Sequence, residues 1–110
     1  MNMLNSILIE GKVVSVKSED SSRITFLIET ERKVRSADGS DIISKIFTFT
    51  VRAFGNNAES VHKWANVGRE VRIVGRLEQY GTETYIVAEH IEYKFTESYR
   101  GYKEWIKQLQ

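Results

Sequence analysis

Between Ile46 and Phe54 the side chains alternate without a break: Phe47, Phe49, Val51 and Ala53 fall on one side, Thr48, Thr50, Arg52 and Phe54 on the other. A period of two marks a pleated strand, because a helix would scatter both sets around its axis. Gly55 ends the run. Beyond it Ala58, Val61, Trp64 and Ala65 recur at helical spacing, with Asn56 placed to cap the first free amides and Val67-Gly68 as a stop. Arg69–Glu78 then alternates again, with Val71, Ile73 and Leu77 inward and Arg72, Val74 and Arg76 outward. Strand, short helix, strand is the centre of the expected fold.

Similar patterns flank it. Ile7–Val16 is rich in β-branched residues, and Gly11 in its middle suggests a bulge or a bend. Lys17–Ser22 is a polar turn, and Arg23–Arg32 carries Ile24, Phe26 and Ile28 on one face. Lys33–Asp41 is mostly polar and contains Asp38-Gly39, a hairpin signal. Gln79–Glu83 is a short hairpin leading into a last strand, Thr84–Tyr93. Five strands with one helix between the third and fourth is the order of an OB-fold, an all-β, partly open Greek-key barrel. From Lys94 onward Tyr99, Tyr102, Ile106 and Leu109 recur at roughly helical spacing, which reads as a short amphipathic helix. The expected division is an OB domain over residues 1–95 and a helical C-terminal extension over 96–110.

Composition narrows the function classes. A chain of 110 residues supports one core. The absence of Cys removes disulfides and thiolate metal sites, and His62 and His90, the only histidines, lack carboxylates at ligand spacing. No metal or cofactor is expected. No nucleophile–base order, P-loop or dinucleotide glycine pattern is present, so an enzyme is not expected either. The first residues do not lead from a basic run into an apolar one, and no apolar stretch approaches the roughly 20 residues that span a bilayer. The expected location is the cytoplasm.

A net charge of +1 decides nothing, so local charge must. Arg32, Lys33, Arg35, Lys45 and Arg52 cluster around the long hairpin and the third strand, while Arg72 and Arg76 share one face of the fourth. Asp38 and Asp41 are the only acids between Arg32 and Arg52. A charged hairpin is ordinarily a solvated loop. On the same side as Arg52 and Phe54, however, it would form a cationic track for phosphates, and a guanidinium in line with a ring suits a polyanion whose bases can stack. Phe54 would be structural if it packed inward, yet its phase opposes Phe47, Phe49 and Val51. Trp64 shares its helical spacing with Val61 and Ala65 and reads as core. Trp105 reads as a packing residue.

Several segments in this order and spacing resemble the bacterial single-stranded DNA-binding (SSB) family over residues 5–93. They are Asn5-Ser6-Ile7-Leu8-Ile9-Glu10-Gly11, Ile24-Thr25-Phe26, Phe49-Thr50-Val51-Arg52-Ala53-Phe54-Gly55, Ala58-Glu59-Ser60-Val61 and Gly68-Arg69-Glu70-Val71-Arg72-Ile73-Val74-Gly75-Arg76-Leu77. The resemblance implies a homo-oligomer, a tetramer by preference and otherwise a dimer. Its barrels would coat single-stranded DNA with little sequence preference during replication, recombination or repair, in association with the nucleoid. It puts Phe54 at a stacking position and Tyr80 close to another, whereas Arg32 and Thr48 stand where the family has aromatic residues. The contact set implied by charge and resemblance together is Arg32, Lys33, Arg35, Lys45, Thr48, Thr50, Arg52, Phe54, Arg72, Arg76 and Tyr80.

Base–aromatic stacking contributes roughly 1–3 kcal/mol per base, so two lost platforms imply weaker or more salt-sensitive binding than the family norm. A planar guanidinium at Arg32 offsets part of that loss; Thr48 cannot. The family commonly ends in an acidic tip that recruits replication and repair proteins. Here the last residues are slightly basic, so the tip is either naturally absent or removed. Two other OB readings compete. One is a primosomal protein of the PriB type that acts mainly by docking replication proteins; the other is a domain used for protein assembly alone.

Overall fold

The computed structural model describes residues 2–94; the expected extension over 96–110, with its helix and Trp105, lies outside them. The elements are β1 (Ile7–Asp20), β2 (Arg23–Arg35), β3 (Ile42–Phe54), α1 (Asn56–Trp64), β4 (Glu70–Tyr80) and β5 (Glu83–Tyr93). The strands close into a barrel in the order β1-β2-β3-β5-β4. Closure depends on β1 serving two partners. It pairs with β4 through Ile7–Lys12 and with β2 through Lys12–Asp20. The seam between β3 and β5 is parallel and short, Val51 opposite Ile86 and Arg52 opposite Val87. This is the five-stranded all-β barrel that the element order implied.

Alternation fills the interior. Ile24, Phe26 and Ile28 of β2, Val51 and Ala53 of β3, and Val71 and Ile73 of β4 are all buried. Each side chain of Phe or Ile size stabilises by about 1.5–3 kcal/mol on burial. Helix α1 closes one end of the barrel with Ala58 and Val61, followed by Ala65. Asn57 Nδ2 donates to the carbonyls of Ala88 at 3.3 Å and Glu89 at 3.2 Å. These carbonyls lie where the β4–β5 register shifts between Val74 and Gly75, so the helix holds the bulge it covers.

Several expectations change. Gly55, not Asn56, is the N-cap of α1, and no side chain caps the helix. The register shifts along β1 lie between Val13 and Ser15 and between Ser18 and Asp20 rather than at Gly11. Gly11 is needed because a Cβ there would sit 2.6 Å from the Glu29 carbonyl oxygen, and Gly75 meets the same obstacle in the Val87 carbonyl at 2.3 Å. Leu77 is exposed, although Ile86 opposite it on β5 is buried. Trp64 is 54% exposed. Ala65 takes the buried place one residue on, so the helical period that pointed Trp64 inward runs out at the last turn.

The largest departure is the β2–β3 hairpin. Its ladder runs from Arg23–Phe54 to Arg35–Ile42, well past the residues with an apolar alternation. Backbone pairing and a bond from Ser44 Oγ to Glu31 Oε1 at 3.0 Å hold this outer part, so Lys33–Arg35 of the segment read as a polar loop are paired strand. Only Ser36–Asp41 forms the tip, where Asp38 accepts bonds from the Ser36 hydroxyl at 2.6 Å and from the Ser40 amide at 3.0 Å and hydroxyl at 2.7 Å. Those three donors, the Ser36 hydroxyl first, hold the Asp38 carboxyl far below the usual carboxylate range.

Candidate nucleic-acid interface

The outer wall of the barrel is built by register. Opposite one another on neighbouring strands stand Thr25 of β2, Arg52 of β3, Val87 of β5 and Arg76 of β4. Arg52 is fixed from several directions. Its guanidinium lies over the Tyr85 ring at 5.1 Å and near the Phe54 ring at 5.6 Å, within cation–π range of both. On a third side Arg52 Nη2 meets Glu19 Oε2 at 3.4 Å. Phe54 points outward and is 41% exposed, in agreement with its phase.

Beside this group lies an open groove of about 480 Å³. Thr50 and Arg52 form its floor, Lys17, Glu19 and Thr25 one bank, and Tyr80, Thr84 and Tyr85 the other. Tyr80 stands at the end of β4, 77% exposed, beside the two-residue turn Gly81-Thr82. Thr50, Arg52 and Tyr80 of the expected contact set thus line one groove. Tyr85 and Glu19 were missed. Tyr85 is one of the outward positions of β5, readable from alternation with buried Ile86, but nothing in the sequence tells which barrel strand it faces. The sequence places Glu19 in the polar turn Lys17–Ser22, and only the length of β1 brings it to Arg52.

The cations do not form one track. Neighbours across β2 and β3 share a face, so Arg32 and Lys45, opposite each other, lie on the face that continues the core side with Phe47 and Phe49. Lys33 and Arg35 belong to the Arg52 face, as does Thr48, but Glu29 stands opposite Thr48, and Glu31 lies between Glu29 and Lys33 along β2. The stretch between Arg32 and Arg52 contains only Asp38 and Asp41, but the pairing brings Glu29 and Glu31, which precede it in sequence, beside β3. Arg72 pairs with Glu10 at 3.2 Å and Glu92 at 3.7 Å, and Arg76 pairs with Glu78 at 3.0 Å and Glu89 at 3.9 Å. A bond from Lys94, then one from Arg72, lowers the Glu10 carboxyl, which is therefore a committed anion. By contrast, among the described residues Arg32, Lys33, Arg35 and Lys45 have no carboxylate partner in an ion pair. On the barrel wall Arg52, Arg72 and Arg76 are paired with carboxylates, whereas the hairpin cations and Lys17 of the groove have no such partner among the described residues.

A closed barrel of this strand order, with a helix between β3 and β4 and a ring-bearing outer wall, is an OB-fold. Residues 4–96 match the model of the single-strand binding protein family, and the chain belongs to that family. Solved structures agree on the fold. The SSB of Plasmodium falciparum in complex with ssDNA superposes with a TM-score of 0.70 at 19% identity, covering 86% of this chain and 98% of that one. PriB from Ralstonia solanacearum gives 0.66 at 12% identity, covering 84% and 100%. A small single-stranded DNA-binding protein from Streptomyces coelicolor gives 0.66 at 18%, covering 86% and 96%. Among curated proteins none matches the sequence.

Proposed function

We propose that this protein binds and coats single-stranded DNA, acting by binding alone and with little sequence preference. Membership of the single-strand binding family supports the ligand. The observation that carries the site is the Phe54–Arg52–Tyr85 stack at the edge of an open groove. Bases stack on Phe54, Tyr80 and Tyr85. Phosphates follow Lys33 and Arg35 along the hairpin and then reach Thr50, Arg52 and Arg76 on the wall. Thr48 lines this path on the hairpin, while Arg32 and Lys45 serve a strand that crosses to the hairpin's other face. Arg72 and Arg76, each held between two carboxylates, contribute least. Copies of the chain associate, and the coated strand is held for replication, recombination or repair within the cell. Tyr85 makes good part of the aromatic surface that Thr48 lacks, so the loss expected from the sequence is smaller than two platforms. A PriB-type docking role is the second reading, favoured by the acid-paired wall.

The test is a fluorescence titration with oligo-dT across a salt series. Binding at about 50 mM salt that weakens with a log–log slope near −0.7 per phosphate engaged is expected. Phe54→Ala should cost about 1–3 kcal/mol of affinity. No binding at low salt, or full affinity in the Phe54→Ala protein, would overturn the proposal.

A further inference from the structure

Glu19 stands where a phosphate would bind Arg52. Arg52 is aimed by Tyr85 at 5.1 Å and Phe54 at 5.6 Å, and the acceptor it finds is Glu19 Oε2 at 3.4 Å. Glu19 is itself held in place: Thr25 Oγ1 donates to its Oε1 at 2.8 Å, and Arg23 Nε lies 4.0 Å from its Oε2. All of these residues except Arg23 and Phe54 line the groove. Carboxylate and phosphate oxygens offer a guanidinium the same planar fork of acceptors. A phosphate that takes the Nη2 edge of Arg52 therefore has to displace Glu19.

We infer that Glu19 is a built-in competitor for phosphate at Arg52, lowering both the affinity and the salt dependence of the barrel wall. The inference rests on the single-strand-binding reading of this groove. On the hairpin, the cations have no carboxylate to displace, and a phosphate there adds its full share to the salt slope. On the wall, a phosphate that reaches Arg52 exchanges one anion for another and leaves Glu19 beside the strand. The hairpin thus supplies electrostatic capture, while the wall accepts the strand only where stacking on Phe54 and Tyr85 offsets the exchange.

The experiment compares wild type, Glu19→Gln, Glu19→Asp, Arg52→Gln and the Glu19→Gln/Arg52→Gln double variant in oligo-dT titrations over a salt series, with melting curves to establish that each is folded. Removing one partly exposed competitor should tighten binding about two- to five-fold. The salt slope should steepen by up to about 0.7. Glu19→Asp, with its carboxylate drawn back from Arg52, should give part of this gain. In the Arg52→Gln background Glu19→Gln should give none, because neighbouring groups that act through each other are not additive. Unchanged or weaker binding in Glu19→Gln, or an equal gain without Arg52, overturns the inference while leaving the wild-type affinity intact. Failure of the wild type to bind oligo-dT instead overturns the reading beneath it.

Discussion

Single side chains tie down both hairpin turns that flank the wall. Asp20 accepts bonds from the Ser22 amide at 2.7 Å and hydroxyl at 2.8 Å, with Arg23 Nε at 3.2 Å. The hydroxyl first and then the amide lower its carboxyl to about 2. An unfolded Asp titrates near ~3.9, so the folded state favours the ionised form. Its contribution is complete above that value and is lost as pH falls through about 2. Asp38 is shifted in the same direction at the other tip. Urea midpoints should therefore drop as pH is lowered from about 4 to 2, and Asp20→Asn should flatten that drop. An unaltered pH slope in the variant would show that the turn does not act this way.

At the scale of elements, strand crossings rather than strand interiors are the sensitive points. A Cβ at Gly75 would lie 2.3 Å from the Val87 carbonyl oxygen, which is paired backbone and cannot swing aside. Gly75→Ala should destabilise by about 1–3 kcal/mol in denaturant unfolding, as overpacking does. A midpoint within error of wild type would mean that β4 and β5 can separate there. Strand identities and the inward residues of β2 were legible because burial on one face imposes period two. The outer hairpin was not, because a two-stranded ribbon exposed on both faces needs no alternation and leaves only its register to define it. The candidate site divided in the same way. Phe54 and Arg52 follow from phase, whereas Glu19 and the acids opposing β3 belong to other strands and become visible only with the pairing. Trp64 misled because the spacing of three and four residues from Val61 fits two neighbours on a short helix, and only Ala65 is covered.

At the scale of the molecule, apolar side chains of β1 and β3 are left exposed among the described residues. Leu8 and Ile46 line a groove of about 720 Å³ between β1 and the hairpin, together with charged residues such as Glu10, Glu31 and Lys94, and in β3 Ile42 is exposed on the Ile46 face, Ile43 and Phe47 on the opposite one. An uncovered apolar region of this kind marks an association surface. Light scattering should give a mass at least twice the 12.7 kDa chain. Leu8→Asp with Ile46→Asp should reduce it to one chain while the barrel stays folded. A monomeric wild type would remove self-association from the proposed function.

The ribbon formed by β2 and β3 has a consequence for how such a molecule can change over generations. Thr30, two rungs past the Ile28–Phe49 pair, still donates its hydroxyl to the Glu10 carbonyl at 2.7 Å, and beyond the Glu31–Ile46 rung no side chain of the ribbon belongs to the buried core. Residues can be added or deleted there in opposed pairs, one from each arm, without disturbing folding. The distance over which the protein grips its ligand is thereby free to evolve separately from the stability of its body.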